Sequence, residues 1–179
     1  ATIGGLSVGA LIVLIAIAPY RMARFTAFMH PEIDLQGAGY QVQQALIAIG
    51  SGGVFGIGLG HSKQKGLYLP EPVGDSIYAI IAEELGMLGT IGIIILFALL
   101  AWRGLKIATS APDIFGKLIA GGITIWIVGQ AIMNIAAITA LMPLTGIPLP
   151  FISYGGTSIV FTLISVGILL NISKQARVS

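Results

Sequence analysis

The chain contains no cysteine in 179 residues. That absence rules out a disulfide framework, a thiol nucleophile and a zinc–thiolate site. Charge is nearly as scarce. Only 9% of residues are Asp, Glu, Lys or Arg, against about 25% in a soluble domain. Hydrophobic residues make up 56% of the chain and the mean hydropathy is +0.97, which is membrane composition. A formal net charge of +2 is too small to argue for nucleic acid, and none is expected as a partner. His30 and His61 are lone histidines in loop-like sequence; they offer little to a metal ion, and no metal site is assigned. The chain opens at Ala1 in apolar sequence, without the basic region of a signal peptide, and reads as a fragment of something longer.

What is abundant is hydrocarbon and glycine. A membrane span needs about 20 mostly apolar residues. Four stretches qualify: 2–20, 77–102, 118–142 and 158–172, the last extendable from Phe151. No charged residue occurs between Leu118 and Ser173, and Pro143, Pro148 and Pro150 divide that run. The expected fold is all-α, a polytopic membrane helical bundle of four spans. Glycine, 25 of 179 residues, stands at about twice its usual ~7% and suits close helix packing and tight loops.

The sidedness of the spans rests on Lys and Arg near their ends. The 103–117 loop carries three basic residues and the tail two, against Arg21, Arg24, Lys63 and Lys65 on the other side. Five against four places 103–117 in the cytoplasm. Residues 21–75 are then a long external loop, and 143–157 an external, re-entrant-like loop. Within the long loop, Val42, Ala45, Leu46 and Ile49 fall at helical spacing opposite Gln41, Gln43 and Gln44. This predicts a short amphipathic helix, lying on the membrane surface or tucked onto the bundle.

Four of the seven acidic residues, Glu71, Asp75, Glu83 and Glu84, crowd into "YLPEPVGDSIYAIIAEELG" beside a long apolar run. Carboxylates next to a span are costly unless they work or are paired. Gly74-Asp75 can open the helix of the second span, so Asp75 has a capping reading as well as a catalytic one. Asp75, Ala79, Ala82 and Gly86 share a face, a small-residue seam for a neighbouring helix. Glu83 lies about 80° and Glu84 about 180° from Asp75. The two glutamates therefore cannot both serve the cavity that Asp75 faces, and at least one is expected to pair with a polar group on another helix. Gln130 and Asn134, four residues apart in the third span, are expected to bond across helices.

"GSGGVFGIGLGHSKQKG" invites comparison with a phosphate loop, but it aligns with neither G-x-x-x-x-G-K-[ST] nor G-x-G-x-x-G. Backbone amides followed by Lys63 and Lys65 would suit a diphosphate, and a flexible Gly-rich loop is the plain alternative. Arg21 and Arg24 lie on one helical face just past the first span. They either snorkel to lipid headgroups or clamp a lipid-borne phosphate.

Together these residues resemble the SEDS family (shape, elongation, division and sporulation), the polytopic cell-wall glycosyltransferases of bacteria. "APYRMARFTAF", "GYQVQQALIAIGSGGVFGIGLGHSKQKGLYLPEP", "DSIYAIIAEELG" and "PLTGIPLPFISYGGTS" stand in the family's order and spacing over nearly the whole chain. The last block is its signature and carries Pro143, Thr145, Gly146, Pro148, Pro150, Ser153, Gly155 and Gly156. Tyr20-Arg21, Gly39-Tyr40-Gln41 and Ser62-x-Gln64-Lys65 are more like the family's division members than its elongation members.

The resemblance implies a ten-span protein of which this chain is the last four spans. It also implies polymerisation of lipid II, the undecaprenyl-diphosphate-linked disaccharide-pentapeptide, in the bacterial plasma membrane at the division septum. The family's catalytic aspartate aligns with Asp75, although Val73-Gly74 stands where many members have His-Thr, and Thr157-Ser158 where Ser-Ser is common. On this resemblance Arg21, Arg24, Lys63 and Lys65 are candidate diphosphate partners, and Glu71 is a further candidate beside the substrate. A divalent cation is compatible with that chemistry, but no dedicated ligand set is visible. Expected protein partners are a class B penicillin-binding protein and other division proteins. A lipid II flippase or transporter and a non-catalytic scaffold of the division machinery are the rival readings.

Overall fold

The computed structural model describes residues 19–30, 37–64 and 74–175. The expected first span therefore lies outside the described residues, save its last two positions. Among the described residues the helices run in the order α1 (Pro19–Met29), α2 (Ala38–Gly52), α3 (Ile77–Ser110), α4 (Ile114–Ile138) and α5 (Gly156–Gln175), with no strand. α3, α4 and α5 are each long and apolar enough to cross a membrane.

Two expected boundaries move. Residues 103–110 and 114–117, expected in a cytoplasmic loop spanning 103–117, are helical, and only Ala111–Asp113 connects α3 to α4. Hydropathy marks where the hydrocarbon ends, whereas a helix continues for as long as good helix formers such as Arg and Lys follow. Arg103 stays in α3 and lies over the Trp102 ring at 5.1 Å. Asp113 then starts α4 by accepting a hydrogen bond from the Gly116 amide at 2.9 Å, an N-cap that hydropathy does not register. α4 ends at Ile138 rather than 142, and Ala140 follows with φ 57°.

α3 is not one continuous helix. Gly86 interrupts it with φ 66° and ψ −162°, a backbone region open essentially to glycine alone. In an unbroken helix the amides of Met87 and Leu88 would bond the carbonyls of Glu83 and Glu84. Here the glycine-rich loop after α2 takes over all four groups. Ile57 N–H donates to Glu83 O at 3.0 Å and Gly58 N–H to Glu84 O at 3.0 Å. Met87 N–H donates to Gly53 O at 2.9 Å and Leu88 N–H to Val54 O at 3.3 Å. Buried backbone groups must be paired, and the loop splices the broken helix without leaving one of these four empty. Met87–Ser110 alone rises about 36 Å, enough to cross a bilayer. Glu83 and Glu84 therefore precede a stretch that is long enough to span by itself.

α2 docks on the bundle. Val42, Ala45 and Ala48 are buried against Tyr78, Ala79 and Ile80 of α3, in a core that continues through Ile127 and Ala131 of α4 to Leu144 and Leu149. Of the two readings for the amphipathic segment this is the tucked one, with one change of register: Leu46, expected on the buried face, is exposed and Ala48 is buried. The small-residue seam of α3 is met as expected. Gly52 lies so close to the Ala82 carbonyl that a Cβ there could not be accommodated.

Candidate active site

Asp75 stands in the turn that leads into α3. The N-cap position belongs to Ser76, without a side-chain capping bond. Asp75 is thus not the cap that its position before an apolar helix suggested. Its carboxylate turns to α2 instead: Gln41 Nε2 donates to Asp75 Oδ1 at 3.1 Å and to Ser76 Oγ at 2.9 Å, and Ser76 Oγ lies 3.4 Å from the same Oδ1. Ser76 is fully buried, so this polar group is enclosed on one side by protein.

The backbone of the same turn is held from α4. Asn134 Nδ2 donates to Asp75 O and to Ile147 O, both at 2.8 Å, and Gln130 Nε2 donates to Pro148 O at 3.0 Å. The two stacked amides were expected to reach across to neighbouring helices. They hold non-helical backbone instead, because the Pro-rich loop has carbonyls that no helix satisfies. One buried amide, Asn134, thereby ties the Asp75 turn to the signature loop.

That loop is fixed by its own hydrogen bonds and a few buried side chains. Leu149 N–H donates to Ser153 Oγ at 2.7 Å while Ser153 N–H returns a bond to Leu149 O at 3.0 Å. Leu144, Leu149 and Pro150 are buried, Pro143 and Pro148 half-buried, and Gly155 and Gly156 lead into α5. Thr145 Oγ1 is buried with no hydrogen-bond partner among the described residues. Phe151 is held at φ 67°, unusual for a non-glycine residue, with its ring 6.4 Å from Phe97. Strain of this kind persists only where the surroundings enforce it.

The expected cations separate. Arg24 Nη1 donates to Leu144 O at 3.0 Å, and its guanidinium lies over Gly146; it pins α1 to the signature loop. Arg21 lies on α1, but its side chain is outside the described residues, as are Lys65 and Glu71 altogether. Lys63 is exposed, and its backbone amide donates to Glu83 Oε1 at 3.1 Å. Glu83 is fully buried and also accepts from Ser62 Oγ. It therefore anchors the end of the glycine-rich loop rather than facing the Asp75 cluster. Glu84 Oε1 is buried with no hydrogen-bond partner among the described residues. The phosphate-cradle reading of the loop is also overturned for the amides of Gly56, Ile57, Gly58 and His61, which all bond backbone carbonyls. Among the described residues no cluster of His, Asp and Glu could hold a metal ion.

The model of the FtsW/RodA/SpoVE family, described as "Cell cycle protein", matches residues 1–178. The chain belongs to this family, the SEDS proteins. Stage V sporulation protein E of Bacillus subtilis (strain 168) is 47% identical over 98% of this chain and 48% of the relative. A probable peptidoglycan glycosyltransferase FtsW of Thioalkalivibrio sp. (strain K90mix) is 46% identical over 90% of this chain and 41% of the relative. One chain of the solved structure described as "Structural coordination of polymerization and crosslinking by a peptidoglycan synthase complex" superposes with a TM-score of 0.74. It is 27% identical over 99% of this chain and 50% of that one. The chain spans about half the length of the curated relatives it matches. As a SEDS protein with three helices fit to span, it is a multi-pass membrane protein.

Sequence reasoning missed Gln41 as part of this site. Its place on the polar face of an amphipathic helix and in the Gly39-Tyr40-Gln41 block assigns it no chemical role. The available signal was that a helix docked by Val42, Ala45 and Ala48 turns Gln41 toward its neighbour's end rather than to water.

Proposed function

We propose that the chain is the carboxy-terminal part of a peptidoglycan glycosyltransferase that polymerises lipid II, with Asp75 as its general base. One juxtaposition carries the reading: a carboxylate at the head of an apolar helix, held by Gln41 of α2, on a backbone turn that Asn134 ties to the family's signature loop. The relatives' names supply the reaction class. In the step, an acceptor sugar hydroxyl attacks the anomeric carbon of the donor. A new C–O bond forms, the bond from that carbon to the diphosphate breaks, and the diphosphate leaves with the electron pair. Asp75 takes up the hydroxyl proton. Single displacement inverts the anomeric carbon, as in inverting glycosidases.

Negative charge growing on the diphosphate calls for nearby cations. Arg24 and Lys63, with Arg21 and Lys65, are the cations proposed for that side of the substrate, Glu71 is proposed beside the substrate, and a divalent cation can share the task. The segment 37–64 and the loop 143–155 face outward in this reading, while 111–113 faces the cytoplasm. A class B penicillin-binding protein and other division proteins are the proposed partners, at the division septum of the bacterial plasma membrane.

The deciding experiment follows labelled lipid II in the purified full-length protein. Asp75→Asn keeps size but cannot accept the proton. Removing a general base costs about 10²–10⁴-fold, so glycan synthesis should nearly vanish while expression persists. A rate within about threefold of wild type would move the base elsewhere, with Glu71 next in line. A flippase or a scaffold would make no polymer at all with Asp75 intact. Residues 1–179 alone should be inactive.

A further inference from the structure

We infer that Gln41 is a positioning residue for the Asp75 carboxylate, so that α2 takes part in the chemistry. This rests on the reading of Asp75 as the base. Even on a fixed backbone a carboxylate can rotate about both its side-chain torsions, and a base works only when its accepting oxygen points at the reacting hydroxyl. The Gln41 amide removes that freedom. Its one nitrogen donates simultaneously to Asp75 Oδ1 at 3.1 Å and to the buried Ser76 hydroxyl oxygen at 2.9 Å. Two acceptors on adjacent residues fix the amide, and the fixed amide in turn sets the plane of the carboxylate and the direction of its second oxygen.

The amide itself is held firmly. Gln41 sits on the first turn of α2, and the next residue, Val42, is buried in the core with Ala45 and Ala48. The backbone under Asp75 is fixed independently by Asn134. Carboxylate and backbone are thus located from two different helices, as preorganisation requires. Neutral Gln suits the task better than a cation. It donates to the carboxylate without adding a full positive charge that would hold the proton-free form and weaken the base.

The experiment measures lipid II polymerisation by the full-length protein with Gln41→Met and Gln41→Glu. Met preserves the length of the side chain and removes the donor. Glu is isosteric but sets a second carboxylate against the first. Because misplacing a reacting group by about 1 Å can cost about 10²-fold, Gln41→Met should lose about that factor in kcat with KM within about twofold. Gln41→Glu should fall at least as far near neutral pH, although a purely packing role would leave it near wild type. Both proteins should melt close to wild type. A kcat within about threefold in either variant overturns the proposal, as does a loss confined to KM. Failure of both variants to fold would assign Gln41 to helix docking and overturn it equally. Activity surviving in Asp75→Asn strikes the base reading itself. An inactive Asp75→Asn beside a fully active Gln41→Met removes only the role of Gln41.

Discussion

Replacing Gly86 by alanine should open the splice that joins the glycine-rich loop to α3. Two costs add at this position. The backbone sits at φ 66° and ψ −162°, where a side chain costs about 1–3 kcal/mol. A Cβ would also fall 2.6 Å from Val54 O and against the Gly56 amide, and these are backbone atoms that cannot swing aside. Relief requires the loop to move, which breaks some of the four bonds joining Gly53, Val54, Ile57 and Gly58 to the two sides of the break. Each such bond is worth about 0.5–1.5 kcal/mol net, so with one or two of them lost Gly86→Ala should cost about 3 kcal/mol.

Gly60→Ala is the matched control, since Gly60 has φ +79° but open space where the Cβ would go. It should cost only the left-handed conformation, about 1–2 kcal/mol. Thermal inactivation of the detergent-solubilised protein should place Gly86→Ala about 6 °C or more below wild type, and clearly below Gly60→Ala. Deuterium exchange should show the amides of Ile57, Gly58, Met87 and Leu88 losing protection together. Equal shifts for the two variants, or unchanged protection at Met87 and Leu88, would refute the splice as the reason for glycine at position 86.

Glu83→Leu should be far more damaging than Glu83→Gln. The leucine removes the charged acceptor of the half-buried Ser62 hydroxyl and of the Lys63 backbone amide, bonds worth about 1.5–3 kcal/mol each. The glutamine can accept from one and donate to the other. Folded yield and melting temperature compare them, and equal losses would remove Glu83 as the loop's anchor. The cysteine-free background also allows a sidedness test with His61→Cys and Pro112→Cys, both at exposed positions. An impermeant thiol reagent outside intact cells should label the first and spare the second; the opposite pattern inverts the proposed topology.

Much of this protein was settled by its sequence. Membrane class and the cores of α3, α4 and α5 follow from composition alone, because hydrocarbon admits only long runs of apolar residues whose backbone bonds close locally. The motif blocks carry the SEDS family, and the crowding of Glu71, Asp75, Glu83 and Glu84 beside an apolar run marks carboxylates whose placement needs a reason. The docking of α2 was half legible: period 3.6 identified its apolar face, but not whether protein or lipid would cover it.

Tertiary structure decided the rest. Gln41 meets Asp75 across 34 positions of sequence, Asn134 meets it across 59, and Arg24 meets Leu144 across 120. No helical period or local propensity specifies such pairs, since each depends on which element lands beside which. The glycine-rich loop shows this most plainly. Its composition fits an anion cradle and a helix splice equally well, because both need bare backbone amides and close approach. Only the break at Gly86, which leaves two amides and two carbonyls seeking partners at that place, determines which of the two the loop becomes.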